Sequence, residues 1–345
     1  MTAWWNKLRA ALPSPHPRPD VPRSPQLHGY PSTFTRSGGG EGGVPRVNIF
    51  DPALKQYRSA FRPGDPALGD VAAAARWRDA RRRAMEHVLR LIVTSPWREN
   101  LVLRGSLLMR AWFGDAAREP GDLDWTILPE TIGVADAWAA EFFTDLVGRI
   151  AVNQSIENSD IQFGVKGIAT DDIWTYDRAP GKRIVVPWLV PGLPVGAVQC
   201  DFVFGEALPT PPVETTIPAA AGEAIVARTA DLQSSLAWKI LWLQTDMYPQ
   251  GKDLYDAVLL AEHATLPYDV LMATLRRGGE FRDGELEPDF AMKWTPDWAN
   301  FLLEYPHVGG EAKQWQERLT RALAPTFANA PPPPGPVAGD ARPNS

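Results

Sequence analysis

Proline sets the limits of the fold in this chain. Pro13, Pro15, Pro17, Pro19, Pro22 and Pro25 crowd one short stretch. Each lacks a backbone N–H and fixes φ, so no single helix can hold them. The run Ser37-Gly38-Gly39-Gly40-Glu41-Gly42-Gly43 follows, a composition typical of flexible linkers. It has no preceding strand and no following Lys-Ser/Thr, so it is not a phosphate loop. The tail from Pro331 to Ser345 is again rich in Pro and Gly. The sequence therefore predicts disorder over 1–50 and 331–345 and places the folded part between them. No internal repeat is present.

Between those ends the chain has the means to build a core. It has 345 residues, enough for two domains, and 44% of them are apolar. No apolar run reaches the length of a membrane span. The N-terminus turns Pro-rich before any long apolar segment, which argues against a secretory signal. Cys200 is the only cysteine, which excludes an internal disulfide and fits a reducing cytoplasm. The net charge of −6 conceals an asymmetry. Residues 1–100 carry 16 Lys+Arg against 8 Asp+Glu, a net of +8, so the remainder carries −14. A basic first third on an acidic body can steer a polyanion such as RNA, or can simply be a solvated helix face.

The hydrophobic pattern changes character along the chain. A helix is expected over 66–93, with Val71, Ala75, Val88 and Leu91 at apolar positions and Arg76, Arg78, Arg81, Arg82 and Arg83 on its polar side. Leu101-Val102-Leu103 reads as a short strand, Leu107 to Phe113 as a helix stopped by Gly114, and Asp122 to Leu128 as a second strand. A helix over 134–150 precedes strands at 161–169, 182–190 and 197–204, rich in Val, Ile and Phe. From about 222 the pattern turns helical, most clearly over 230–247, 252–264 and 311–324. The expected fold class is α+β: a domain with a mixed sheet over 51–218, then a helical domain over 219–330.

The chemistry concentrates in Leu103-Arg104-Gly105-Ser106 and, after fifteen intervening residues, Asp122-Leu123-Asp124-Trp125. Strand residues two apart share a face, so Asp122 and Asp124 project together. Such a pair of carboxylates repels itself unless a cation neutralises it, and hard oxygen ligands suit Mg²⁺. Gly105-Ser106 sits where a strand gives way to a helix, whose free N–H groups and dipole favour an anion such as phosphate. Aspartates two apart are also common in turns, and Gly-Ser alone is a weak signal; their order is what gives them weight. Two-metal chemistry calls for a third carboxylate on a neighbouring strand. Asp201 is the candidate, as the one charged residue in Val198-Gln199-Cys200-Asp201-Phe202-Val203-Phe204, though it also suits a half-exposed strand face. Lys239 lies within Leu236-Ala237-Trp238-Lys239-Ile240-Leu241-Trp242, where it either snorkels to water or meets a triphosphate. Asp253 and Asp256 share a helix face and suit its first turn on dipole grounds alone.

Taken together, Leu103-Arg104-Gly105-Ser106, Glu119-Pro120-Gly121-Asp122-Leu123-Asp124-Trp125, Ala237-Trp238-Lys239 and Lys252-Asp253-Leu254-Tyr255-Asp256 resemble the AbiEii/AbiGii toxin nucleotidyltransferases of the DNA polymerase β-like superfamily. The resemblance spans roughly 95–265. It implies a polymerase β-like domain and Mg²⁺-dependent transfer of a nucleotidyl group from an NTP, with pyrophosphate leaving after in-line attack on the α-phosphate. It makes Asp122 and Asp124 metal ligands, Gly105 and Ser106 the phosphate-binding turn, Lys239 the triphosphate contact and Asp253 the acid of the last motif. Asp201 matches by strand context only, as the third metal ligand beside the acceptor hydroxyl. The gap from Ser106 to Asp122 is a few residues longer than usual in the superfamily, and the Pro-rich first fifty residues have no counterpart there. The implied partners are an NTP, an RNA (tRNA) or protein acceptor, and a cognate antitoxin, with no membrane. A small-molecule nucleotidyltransferase of the antibiotic-modifying kind shares the same acids and differs in its acceptor. The retained Asp122, Asp124 and Lys239 argue against a degenerate scaffold.

Overall fold

A computed structural model describes residues 44–50, 61–173, 179–220, 222–246, 248–278, 286–328 and 330. The expected disorder over 1–43 and 331–345 lies outside these residues. Within 44–50, a strand β1 (Arg46–Phe50) pairs antiparallel with β2 (Phe61–Pro66). This strand thus lies inside the stretch that proline and glycine content marks as unfolded. Among the described residues no helix is long and apolar enough to cross a membrane.

The chain divides into two compact units. The first comprises Met1–Leu103, Pro120–Glu206 and Thr216–Ala227; the second comprises Arg104–Glu119, Ala207–Thr215 and Arg228–Ser345. The chain leaves the first unit after Leu103 and returns to it at Pro120.

In the first unit, helix α1 (Val71–Val93) starts later than the pattern suggests, at the Asp70 cap, whose carboxylate accepts from Ala72 N at 3.0 Å. It buries Trp77, Ala80, Ala84, Met85, Val88, Leu89 and Ile92, whereas Val71 is 82% exposed. The strands are β3 (Leu101–Arg104), β4 (Leu123–Ile127), β5 (Gln162–Phe163), β6 (Ala169–Asp172), β7 (Gly181–Leu189) and β8 (Gly196–Val203). The strand expected over 161–169 shrinks to the two residues of β5. Two further strands, β9 (Val213–Ile217) and β10 (Ile225–Thr229), straddle the division into units. The sheet runs β5-β7-β8-β4-β3 and then β10, with β6 also pairing with β7. It is mixed, because β4 runs parallel to β8 while β7 and β8 are antiparallel.

Alternation along the strands decides what each face carries. On β8, Val198, Cys200 and Phe202 point one way and Gln199 and Asp201 the other. Helix α2 (Ser106–Phe113) belongs to the second unit, and α3 (Ala137–Val152) to the first. Phe142 and Phe143 of α3 meet the Phe202 ring edge-on at 5.1 and 5.4 Å, and Trp77 of α1 meets Trp188 of β7 at 5.4 Å. Both helices therefore cover the Phe202 face, and Asp201 stands on the opposite one.

The second unit is mainly helical: α2, α4 (Leu232–Thr245), α5 (Gly251–His263), α6 (Tyr268–Arg277), α7 (Trp298–Glu304), α8 (Ala312–Ala322) and α9 (Ala324–Ala328). Every residue of α4 from Ser234 to Leu241 is buried, as expected of a helix apolar on nearly all sides. Asp231 caps it by accepting from Ser234 N at 2.7 Å. Rings of Tyr255, Trp298, Phe301 and Trp315 fill the space between α5, α7 and α8.

Candidate active site

In the first unit, parallel pairing sets Asp124 of β4 directly beside Asp201 of β8. Leu123, Trp125 and Ile127 turn into the core at 0–1% exposure, so Asp124, and Asp122 just before the strand, lie on the other face. Asp122, Asp124 and Asp201 each bring a carboxylate oxygen within 4.8 Å of the others. Asp122 and Asp124 are half-buried, and Asp201 is 2% exposed.

Asp201 has a partner that sequence reasoning missed. Arg183 of β7 stands opposite it in the ladder. Its Nε donates to Oδ1 and its Nη2 to Oδ2, each at 2.7 Å, and Gln199 Nε2 adds a bond of 3.3 Å to Oδ2. The only signal in the sequence was an arginine inside a strand; without the register of β7 on β8 it points nowhere. Beneath the acids, burial first, and then the charges of Asp201, Asp122 and Asp124, push the Cys200 thiol well above its usual pKa. It stays a neutral thiol, a poor nucleophile.

In the second unit, Gly105 precedes α2 with φ 86° and ψ −155°, a conformation that glycine adopts without strain. Ser106 opens the helix at 1% exposure, and its Oγ meets no hydrogen-bond partner among the described residues.

Lys239 does not snorkel. It is 5% exposed, and its Nζ meets Asp253 Oδ1 at 2.8 Å and Asp256 Oδ2 at 3.0 Å. Arg118 forks onto Asp256, with its Nη2 at 2.9 Å from Oδ2 and its Nε at 3.1 Å from Oδ1. Asp253 and Asp256 thus answer two buried cations, beyond any service to the helix dipole. Burial opposes the ammonium, but Asp253 and Asp256 outweigh it and hold Lys239 above the usual lysine pKa. At Asp256 burial favours the neutral acid, and Arg118 and Lys239 overcome that, holding it below the usual carboxylate range. Lys252, at the start of α5, is half-exposed.

A comparison with curated proteins found no match. The family model described as nucleotidyl transferase AbiEii toxin, Type IV toxin–antitoxin system, matches residues 87–325, well over half of the chain. That span takes in Gly105-Ser106, all three clustered aspartates and the Lys239–Asp253–Asp256 group. This chain therefore belongs to the AbiEii nucleotidyl transferase toxin family of Type IV toxin–antitoxin systems.

Proposed function

We propose that this protein transfers a nucleotidyl group from an NTP to a macromolecular acceptor, with RNA as the acceptor that its charge distribution favours. The observation that carries this reading is the convergence of Asp122, Asp124 and Asp201 within 4.8 Å. Three carboxylates and no Cys or His ligand form a hard oxygen donor set, which suits Mg²⁺ better than Zn²⁺. Oxygens this close need only small side-chain movement to share a divalent ion. When bound, such an ion would neutralise charge on the triphosphate and on the oxygens that attack and leave.

The remaining work falls to this chain's own groups. Asp122 and Asp124 supply ligands from one strand, and Asp201, held by Arg183, supplies the third from the next. Gly105 lets a phosphate approach the backbone closely, and the unpartnered Ser106 hydroxyl is a donor for it. Lys239 pairs with Asp253 and Asp256, which keep its ammonium charged for the triphosphate contact that the family resemblance implies. The acceptor hydroxyl gives up its proton with the help of Asp201 and forms the new bond to the α-phosphorus, the bond to the β-phosphate side breaks, and pyrophosphate leaves. We read residues 51–218 as a polymerase β-like catalytic domain and 219–330 as its helical companion. Family membership implies a cognate antitoxin.

The test is incubation of the purified chain with each of four α-labelled NTPs, Mg²⁺, total RNA, lysate protein and a small-molecule extract. The expected result is label in RNA with release of pyrophosphate. Asp122→Asn should lower it by about 100-fold or more, as loss of a charge-stabilising group does elsewhere. Label in protein alone moves the acceptor to protein. Label only in small molecules points to the antibiotic-modifying kind of enzyme, and no label in any fraction rejects nucleotidyl transfer.

A further inference from the structure

We propose that Arg183 is a positioning residue for the acidic triad, a built-in cation that tempers how tightly the triad takes a divalent ion. The inference rests on reading Asp122, Asp124 and Asp201 as a metal centre. Arg183 and Asp201 face each other as Cα partners in the β7–β8 ladder, so strand pairing fixes their approach. Two bonds of 2.7 Å join the guanidinium to both carboxylate oxygens, and the side chains are 13% and 3% exposed. A planar fork of this kind locks the carboxylate's rotation and uses one lone pair on each oxygen. Gln199 Nε2 adds a longer bond of 3.3 Å to Oδ2, and the carboxylate so held still brings an oxygen within 4.8 Å of the Asp122 and Asp124 oxygens. Arg183 thus presents Asp201 to the triad without consuming it.

The charge balance follows from the same geometry. Three carboxylates in one cluster repel one another. With the guanidinium at hydrogen-bond distance, the four side chains carry two net negative charges instead of three. The metal-free protein gains, because part of that repulsion is offset from within. An incoming divalent ion loses, because it meets a fixed positive charge across one carboxylate.

The test uses the full chain and Mn²⁺ alone, followed by isothermal titration and by thermal unfolding with and without the ion. Arg183→Gln should unfold at lower temperature than wild type without metal, yet bind Mn²⁺ roughly tenfold or more tightly. Arg183→Lys keeps the charge and should return Mn²⁺ affinity close to the wild-type value. An ion pair with only a scaffolding role predicts the opposite, a joint loss of stability and Mn²⁺ affinity in Arg183→Gln. Equal or weaker Mn²⁺ binding in that variant overturns the proposal. If Arg183→Gln is unfolded without metal, refolding with Mn²⁺ should recover it, and failure to do so also overturns the proposal. A wild-type chain that takes no Mn²⁺ removes the metal-centre reading itself, so the two failures are distinct.

Discussion

Lys239, Arg118, Asp253 and Asp256 form a group of two cations and two anions, and none of the four side chains is more than 10% exposed. Charges so buried are tolerable only while each has its partner. Lys239→Ala is therefore a poor probe of nucleotide binding, since it strips Asp253 of its ammonium partner and Asp256 of one of its two cations, and cannot leave the fold untouched. Asp256→Asn is the cleaner experiment. It keeps the volume and removes the carboxylate that Arg118 and Lys239 share. We expect a loss of about 3–5 kcal/mol, the usual result of removing one member of a buried ion pair. The fall would be read from the urea midpoint at unchanged slope. Because the folded-state pKa of Asp256 is depressed, its contribution is complete above the unfolded-state value of about 3.9 and is lost as pH falls through the folded value. The deficit of the variant should therefore be constant near neutrality and shrink in acid. A deficit below about 1 kcal/mol would show that water screens the cluster, as it does surface pairs. The sequence disclosed that Lys239 was unusual among apolar neighbours. It did not disclose the answer, because Arg118 and Asp256 are 138 residues apart and no local period links them.

Strands β7 and β8 show which elements could be read and which could not. Their long Val, Ile and Phe runs, bounded by Pro and Gly, put them within a residue or so of where they lie. β9 and β10 went unread because five residues near a helical stretch carry too short a pattern. On α1 the alanine-rich start fits several helical phases, and Trp77, whose Nε1 donates to the Pro194 carbonyl at 2.9 Å, settles which face turns inward. Register was the larger gap. Same-face placement of Asp122 and Asp124 follows from period two, whereas Arg183 against Asp201 needs the pairing itself. That pairing also sets Gly196 against Trp188, the end of the ladder. A Cβ on Gly196 would lie 2.1 Å from the Trp188 ring, which is fully buried. Gly196→Ala should therefore cost about 3 kcal/mol, the upper end of overpacking. In a Trp188→Leu background the same alanine should cost less than about 1 kcal/mol, since the clash has gone. Equal costs in both backgrounds, measured by denaturant unfolding, would mean that the ladder slips to make room and that the register does not hold Arg183 in place.

At the scale of the whole molecule, the uneven charge bears on the acceptor. The first hundred residues carry a net +8 and the rest −14. A polyanion approaching this protein is drawn to one part and repelled by the other. Within the described residues that basic character reaches the surface on α1, where Arg78 and Arg82 are exposed one turn apart. Arg81 shares their side of the helix and is largely covered. It donates to Asp65 at 2.5 Å and to the Pro120 carbonyl, which leaves it 15% exposed and ties α1 to β2. Arg76 bridges to Asp160 at 3.3 Å with both side chains more than half exposed, a pair that water screens. If RNA is the acceptor and tracks this helix, binding should weaken with salt, and each phosphate contact should contribute about 0.7 to the slope of log affinity against log salt for a single strand. Arg78→Gln with Arg82→Gln should then flatten that slope by about 1–2 units, while nucleotide affinity, set elsewhere in the chain, stays as it was. Filter binding of labelled RNA across a salt series reads the first quantity, and calorimetry with an NTP reads the second. A slope unchanged by the double variant would take α1 out of the RNA path. The source of the attraction would then have to be sought in the other basic residues of the first third, because the remaining 245 residues are acidic overall and give a polyanion no general reason to approach.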